Sequence, residues 1–419
     1  MSTTAEPTTD SHSGRPTTPS SGQPTATHFT LAVIALAMGG FAIGTTEFVT
    51  MGLLPEMAEG VGVSIPTAGH LISAYAVGVV VGAPVLAFFG ARLPRRGLLL
   101  ALVAGLAVFN AATAVAASYE LLGTARFLAG LPHGAYFGVA SLVAASMAPA
   151  GRKGRAVAAV MLGLSFANVV GVPAATWLGQ NVGWRSAYWA VAALAVLTFA
   201  LIVAFVPSYP GNPEATGRRE LAAFAKPQVW LTLLAGAIGF GGLFAVFSYI
   251  APTVTQVGGL PRSAVPVFLL VLGLGMVVGT WVAGHLADWS ILRSLLGSSI
   301  GLVGILLLFA LLAPYGWWNL APAFLLTVIA SVLVVNLQLR LMDVAGDAQT
   351  LGAAMNHASL NVGNALGAWV GGLVILGGFG YRMTAVVGAG LAVAGFLVIG
   401  ASALVHVRGR SARSDASSS

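Results

Sequence analysis

The 419-residue chain contains no cysteine. Disulfides, thiolate metal sites and cysteine nucleophiles are therefore excluded, and redox compartment leaves no trace. Charge is almost as scarce. Only 7% of the residues are Asp, Glu, Lys or Arg, against 57% hydrophobic, whereas a soluble domain needs roughly a quarter charged to cover its surface. Such a chain must face lipid. Basic residues outnumber acidic ones, 19 to 12, for a net charge of +7. A basic balance can serve phosphate binding, but here the charges are scattered through short connections and form no stripe, which argues against a nucleic-acid partner. There is no G-x-x-x-x-G-K followed by Ser or Thr, no H-E-x-x-H, and no His and carboxylate cluster with metal-ligand spacing. Neither ATP nor a metal is expected to drive the protein, and no cofactor is expected.

What the sequence has is apolar runs of the length that crosses a bilayer, about 20 residues each. They lie near 29–54, 67–91, 97–118, 121–148, 156–180 and 186–207, then near 229–254, 264–287, 291–313, 317–339, 351–377 and 383–407. One uncharged stretch, 294–339, is too long for a single crossing, and Pro314, Tyr315 and Gly316 supply its break. The reading is an all-α polytopic membrane protein of twelve helices. Its parts are a disordered tail at 1–28, a six-helix bundle at 29–207, a linker at 208–227, a second bundle at 228–407 and a polar tail at 408–419. The first run lacks the basic flank and cleavage site of a signal peptide and is read as a retained helix. With both tails inside, 15 of the 19 basic residues fall in cytoplasmic segments, while only Arg185, Arg262 and Arg382 lie in outer loops. The termini are thus expected in the cytoplasm, with the protein in the cell membrane.

The two bundles repeat. Shifting the chain by 197 positions superposes Pro55 on Pro252, Gly78 on Gly275, Gly82 on Gly279, Arg96 on Arg293, and Gly183, Trp184, Arg185 on Gly380, Tyr381, Arg382. Six spans is an even number, so the halves enter the membrane from the same side, as a parallel repeat. Small residues recur at every fourth position on the fifth span (Gly163, Ala167, Gly171, Ala175, Gly179, with Pro173 among them) and on the eleventh (Ser359, Gly363, Gly367, Gly371). Such stripes let helix backbones approach closely. They suit two readings: ordinary packing, or the seam along which the halves rock.

Chemistry inside the spans is sparse, and Glu47 is the one carboxylate deep within any of them. A charge at the bilayer centre costs about 2.5 to 3.5 kcal/mol on insertion scales, so the group is expected to carry protons or substrate. The alternative is a neutral, hydrogen-bonded structural Glu. Arg126, the one in-membrane cation, is expected at matching depth. It pairs with Glu47 either as a static tie or as a partner whose separation changes protonation. His133 lies seven residues on, on the same face, as a relay or a structural group. Asn168, Asn336 and Asn361 are candidate cavity groups, with Asn356, His357 and Asn364 as further intramembrane hydrogen-bonding groups. Phe41, Tyr136, Phe137, Phe244 and Phe247 are candidate walls of an apolar pocket.

These residues carry a resemblance. Gly44-Thr45-Thr46-Glu47-Phe48 with Met51-Gly52-Leu53-Leu54-Pro55, the run Val63 to His70, and Arg126-Phe127-Leu128-Ala129-Gly130-Leu131-Pro132-His133-Gly134 are similar to motifs of the major facilitator superfamily. Within it the chain resembles twelve-span drug:proton antiporters, the group of arabinose-efflux permeases and chloramphenicol-export proteins. The resemblance implies export of a small amphipathic compound against protons by alternating access, powered by the proton gradient, with the protein working as a monomer. A sugar-like substrate is the alternative, and a non-transporting sensor or membrane-embedded enzyme a remote one. The family implicates the Arg of the fourth-span motif, here Arg126, in proton coupling. Its cytoplasmic gate loop between the second and third spans is altered here: Ala87 and Ala91 stand at the Gly and Asp positions, ahead of Arg92, Arg95 and Arg96. The repeat-related loop keeps Gly284, Asp288 and Arg293, so a one-sided charge latch is expected there. The fifth-span antiporter motif normally has adjacent Gly-Pro, whereas this chain reads Gly171-Val172-Pro173.

Overall fold

The computed structural model describes residues 26–90, 93–149, 153–208, 226–345 and 349–417. Among these no strand occurs, and helices follow the apolar runs. In the first half α1 is Ala26–Gly52, α2 Ile65–Gly90, α3 Arg95–Val115, α4 Tyr119–Met147, α5 residues 153–182 and α6 Trp184–Phe205. In the second half α7 is Pro227–Phe247. Residues 264–312 then run as one helical rod interrupted at Ser290, whose extended φ of −173° and ψ of 113° separate α8 (264–289) from α9 (291–312). After it come α10 at Leu320–Ala345, α11 at Gln349–Leu376 and α12 at Met383–Ser417. Among the described residues ten continuous segments are long and apolar enough to cross a membrane, and one of them, Ala264–Val344, is 81 residues long. Breaks at Ser290 and at the 3₁₀ turn Ala313–Asn319 cut that segment into three and give the twelve spans. The second break is the Pro-Tyr-Gly element: Gly316 has φ of 58°, a conformation that glycine alone adopts cheaply.

The ends differ from the sequence reading. The first helix begins at Ala26, inside the segment expected as a tail, and α12 continues to Ser417 through the segment expected as polar tail. The first run does not end at residue 54 as one rod. Its helix stops at Gly52, and a short helix, Leu54–Gly60, follows with Pro in its first turn. The linker 208–227 lies mostly outside the described residues, as do Arg92, Arg152 and Asp347.

The repeat is visible in packing. A side chain at Gly78 would strike the carbonyl of Phe127 on α4, and one at Gly275 the carbonyl of Phe324 on α10. Gly82 stands likewise against Leu131 and Gly279 against Val328. All four contacts keep the 197-residue offset. The outer corners match too: Arg185 donates to the Ala116 carbonyl at 3.0 Å, and Arg382 to the Ala310 carbonyl at 2.7 Å, each tying the last helix of its half to the third. Outer and inner here name the two ends by the basic-residue bias of the sequence.

The glycine stripes do not form the seam between halves. Gly163 abuts Ala37 and Phe41 of α1, and Gly171 abuts Thr45 and Phe41. Gly363 and Gly367 meet Ala237, Gly241 and Ala245 of α7. Each stripe therefore lets two helices of one half approach, which is the packing reading. Pro173 sits in the first turn of the helix that follows a π turn at Ala167–Gly171 in α5. The halves meet instead where α2 packs on α11 and α5 on α8. At the first contact Ser73 donates to the Ala365 carbonyl at 3.1 Å. At the second, Gly273 lies against the Asn168 carbonyl, so that residues 168 and 365, one repeat apart, both offer a carbonyl to the opposite half.

Substituting Gly78 or Gly275 by Val forces a side chain into backbone and is expected to cost about 1–3 kcal/mol. Thermal unfolding in detergent should show the loss for both. Gly284→Ala, inside α8 with nothing within 4 Å of the added carbon, should show no loss and a slightly raised midpoint, because alanine is the better helix former.

Candidate functional site

One turn of α1 organises the centre of the first half. Thr46 and Thr50, four residues apart, share a helix face. Arg126 on α4, fully buried, donates through Nη1 to Thr46 Oγ1 and through Nη2 to the Thr46 carbonyl, both at 3.1 Å. The Thr46 hydroxyl in turn donates to Asn110 Oδ1 on α3, and Asn110 Nδ2 donates to the Leu106 carbonyl at 2.8 Å. The guanidinium lies 4.3 Å from the centre of the Tyr75 ring on α2 and 5.5 Å from that of Tyr188 on α6. Tyr188 closes the set by hydrogen bonding Thr50 at 2.7 Å. A cation held by fork geometry and aromatic faces is an arrangement that Arg supplies and Lys does not.

Glu47 occupies the adjoining face of α1. Its side chain is 7% exposed and turned into the bundle, with Oε2 at 3.9 Å from His133 Nδ1 on α4. Tyr75 OH stands 3.2 Å from the same nitrogen. With Nδ1 unprotonated, Tyr75 donates to it; with Nδ1 protonated, the imidazole donates to the tyrosine or carboxylate oxygen. The expected Glu47–Arg126 pair is not formed: among the described residues no ion pair joins them within 4.0 Å, because the guanidinium is taken up by Thr46. Arg126 and Glu47 do share a depth, and His133 takes the place the sequence reading gave to Arg126.

The aromatic candidates divide into three roles. Phe244 and Phe247 of α7 stack on Phe48 of α1, with ring centroids 6.4 and 5.5 Å apart. They form a plug between the halves on the outer side of Glu47 rather than an open pocket wall. Tyr136 is a packing residue, its hydroxyl donating to the Leu36 carbonyl at 2.8 Å beside Gly39. Phe137 lies between two histidines, edge-on to His133 at 5.5 Å and stacked on His357 of α11 at 6.0 Å. Phe41 is half-buried against Gly171.

The amides are the least satisfied groups. Asn168 donates to the Leu164 carbonyl, Asn336 to Val332 and Asn361 to His357, each an intrahelical bond. The side-chain oxygens of Asn336 and Asn361, and both polar atoms of Asn356 and Asn364, are buried without a protein partner. Such atoms normally find water or ligand.

Among the described residues the expected inner latch is not assembled. Arg92 lies outside the described residues. Asp288 and Gly284 are exposed, and among the described residues Asp288 forms no ion pair. Arg293 lies over the Trp289 ring at 5.3 Å, and Arg96 donates to the Val203 carbonyl within its own half. Arg95 is half-buried at the start of α3. On the outer side the halves do touch: Gln180 donates to the Arg262 carbonyl at 3.2 Å, bordering a cleft of about 250 Å³ that also includes Glu56 and Gln256. Burial pushes the Glu56 carboxyl above the usual carboxylate range, while its own backbone hydrogen bond and Arg262 pull it back. Among the described residues no group of three or more His, Cys, Asp and Glu is placed to hold a metal.

Sequence reasoning missed the roles of Thr46, Tyr75 and Tyr188 because threonine and tyrosine in a span carry no charge to mark them; Asn110 on α3 is a span asparagine of the kind singled out elsewhere and could have been found the same way. Phe48 adjoins Glu47 and could have been read as its neighbour in function.

A family model described as the Major Facilitator Superfamily matches residues 36–356. The inner membrane transport protein YdhP of Escherichia coli K12 is 40% identical over 371 residues, covering 88% of this chain and 95% of YdhP. A chloramphenicol resistance protein of Streptomyces lividans is 35% identical over 352 residues, covering 80% of this chain and 87% of its own. The crystal structure of a D-xylose–proton symporter superposes with a TM-score of 0.69 at 16% identity, over 89% of this chain and 97% of that one, which speaks for the fold alone.

Arg126→Lys loses the bidentate hold on Thr46 and the flat stack on Tyr75. The expected cost is about 1.5–3 kcal/mol, read as a lowered unfolding midpoint in detergent. Glu56 gives a pH test. Its folded form binds a proton more tightly than the unfolded chain, so native stability falls as pH rises through the shifted range. Glu56→Gln should flatten that fall, which begins in the ordinary carboxylate range and extends above it, checked by unfolding midpoints measured as pH is raised.

Proposed function

Because the chain belongs to the major facilitator superfamily, we propose that it is a proton-coupled exporter of a small amphipathic compound. It is a multi-pass membrane transporter rather than an enzyme. The observation that carries the finer reading is the position of Glu47: enclosed in the bundle, beside His133, one residue from Phe48 of the outer plug. A carboxyl group there exchanges between neutral and charged forms, and burying the charged form is the costly state. Loading a proton on Glu47 changes the electrostatics of the same helical turn that holds Phe48 against Phe244 and Phe247. Proton occupancy and closure of the outer side are thereby tied through one element. Arg126 anchors that turn through Thr46 and sets its position, without serving as the carboxylate's partner.

Exchange follows from alternation. A proton taken from outside neutralises Glu47 as the compound leaves outward, the halves turn about the α2–α11 and α5–α8 contacts, and the proton is released inward where the next compound binds. A membrane potential of 100 mV supplies about 2.3 kcal/mol per charge moved, which sustains a gradient of tens of fold. The name of the Streptomyces relative supports a chloramphenicol-like drug as cargo, and the aromatic surfaces suit such a compound. The unpartnered Oδ1 of Asn361 and the unpartnered amide of Asn364 favour a hydroxyl-rich cargo as the second reading, a sugar-like metabolite.

Cells expressing the chain should tolerate more chloramphenicol than cells carrying an empty vector, and a panel including sugar-like compounds separates the two cargoes. In proteoliposomes, Glu47→Gln should abolish pH-driven exchange while the protein stays folded. Unchanged exchange removes Glu47 from the mechanism.

A further inference from the structure

The geometry points to His357 of the second half as the group through which the proton on Glu47 leaves toward the inner side, with Phe137 as the shutter between His357 and His133. The inference rests on the proton-carrier reading of Glu47 and adds the route.

Depth along the helices sets the order. At 1.5 Å per residue, Glu47 lies roughly 32 Å from the inner end of α1, His133 roughly 21 Å from the inner end of α4, and His357 roughly 12 Å from that of α11. The three groups descend from the outer third to the inner third. Contact follows the same order: 3.9 Å from Glu47 to His133, then ring separations of 5.5 Å from His133 to Phe137 and 6.0 Å from Phe137 to His357. The stack of Phe137 on His357 also joins the two halves across α4 and α11.

A second observation lies on the same helix face. Asn361 and Asn364, one and two turns outward of His357, hold three buried polar side-chain atoms with no protein partner: Oδ1 of Asn361, and Oδ1 and Nδ2 of Asn364. Buried amide atoms of this kind take water, and ordered water is what a proton needs to pass a phenyl ring that carries no donor or acceptor. The repeat gives an independent argument. The residue 197 positions before His357 is Val160, so the fold tolerates an aliphatic side chain at the equivalent place.

The transfer balances. The O–H bond of the Glu47 carboxylic acid breaks and an N–H bond forms at His133 Nδ1 when that nitrogen is unprotonated and Tyr75 has released it. The imidazole gives up its other ring proton to water, and that water passes a proton to His357. His357 delivers it to inner water, leaving one carboxylate on Glu47 and both imidazoles neutral. The titratable groups facing His357 from neighbouring elements are His133 on α4, with Glu47 of α1 and Tyr75 of α2 behind it. On α10 the charged groups are Arg340 and Asp343, paired at 3.0 Å, and α7 contributes none.

The test is a rapid pH jump on the full-length protein, following the infrared band of the protonated Glu47 carboxyl, assigned by its loss in Glu47→Gln. His357→Asn should slow release of the Glu47 proton by about tenfold or more, leave the titration midpoint in place, and recover when imidazole is added to the buffer. A purely structural role would not be rescued by imidazole. Phe137→Ala, which opens the shutter, should speed release and serves if the histidine variant does not fold. Unchanged release in either folded variant, or slowing that imidazole does not restore, overturns the route. Absence of any Glu47 band in the unsubstituted protein overturns the carrier reading beneath it, and so distinguishes the two failures.

Discussion

A cation with no water around it must be held by the protein, and the first half of this molecule is built around that requirement. Arg126 is fully buried, and five helices send groups to it or to the residue it binds: Thr46, Tyr75, Asn110 and Tyr188, besides its own α4. Removing one partner from such a network leaves a buried charge or dipole exposed to a low-dielectric interior, so the members stand or fall together. Because the network fixes the turn of α1 that carries Thr46, it also fixes Glu47 and Phe48, the next two residues. The outer plug and the carboxyl group inherit their positions from the anchored cation.

The second half contains no copy of this network. One repeat on from Thr46, Glu47, Tyr75, Asn110, Arg126, His133 and Tyr188 stand Leu243, Phe244, Leu272, Leu307, Ala323, Ala330 and Ala385, all apolar. The backbone repeat is nonetheless close enough that glycine contacts recur at equivalent carbonyls. Two halves of one architecture thus divide the work: the first holds the ionisable groups, and the second offers apolar rings to the plug and buried amides to whatever fills the middle. A rigid-body movement between halves then changes the surroundings of Glu47 without dismantling the network that positions it.

Much of this was legible beforehand, for physical reasons that differ by residue. Span number and the repeat follow from bilayer thickness and from glycines that no other residue replaces at a backbone contact, as at Gly78 and Gly275. Glu47, Arg126 and His133 declare themselves because ionisable groups in lipid are rare. Their pairing was not legible: matching depth suggested Glu47 with Arg126, yet depth fixes neither the rotation of α4 nor the competition from the Thr46 carbonyl. The stripes on α5 and α11 were equally ambiguous, since close approach is required both for packing and for a sliding seam, and only the partner helix tells which. Two of the contacts that join the halves, Ser73 with Ala365 and Gly273 with Asn168, use a lone hydroxyl, a lone glycine and backbone carbonyls, which leave no pattern to read.

The account depends on a carboxyl group facing an imidazole inside the bundle while the nearby guanidinium is engaged elsewhere. A solid-state NMR distance between the Glu47 carboxyl and His133 Nδ1, recorded on the protein in lipid bilayers, addresses it directly. Contact matching the 3.9 Å oxygen-to-nitrogen separation, with the Arg126 guanidinium close to Thr46, is the predicted result. A carboxyl group coupled to the Arg126 guanidinium instead, or to lipid acyl chains, would contradict it.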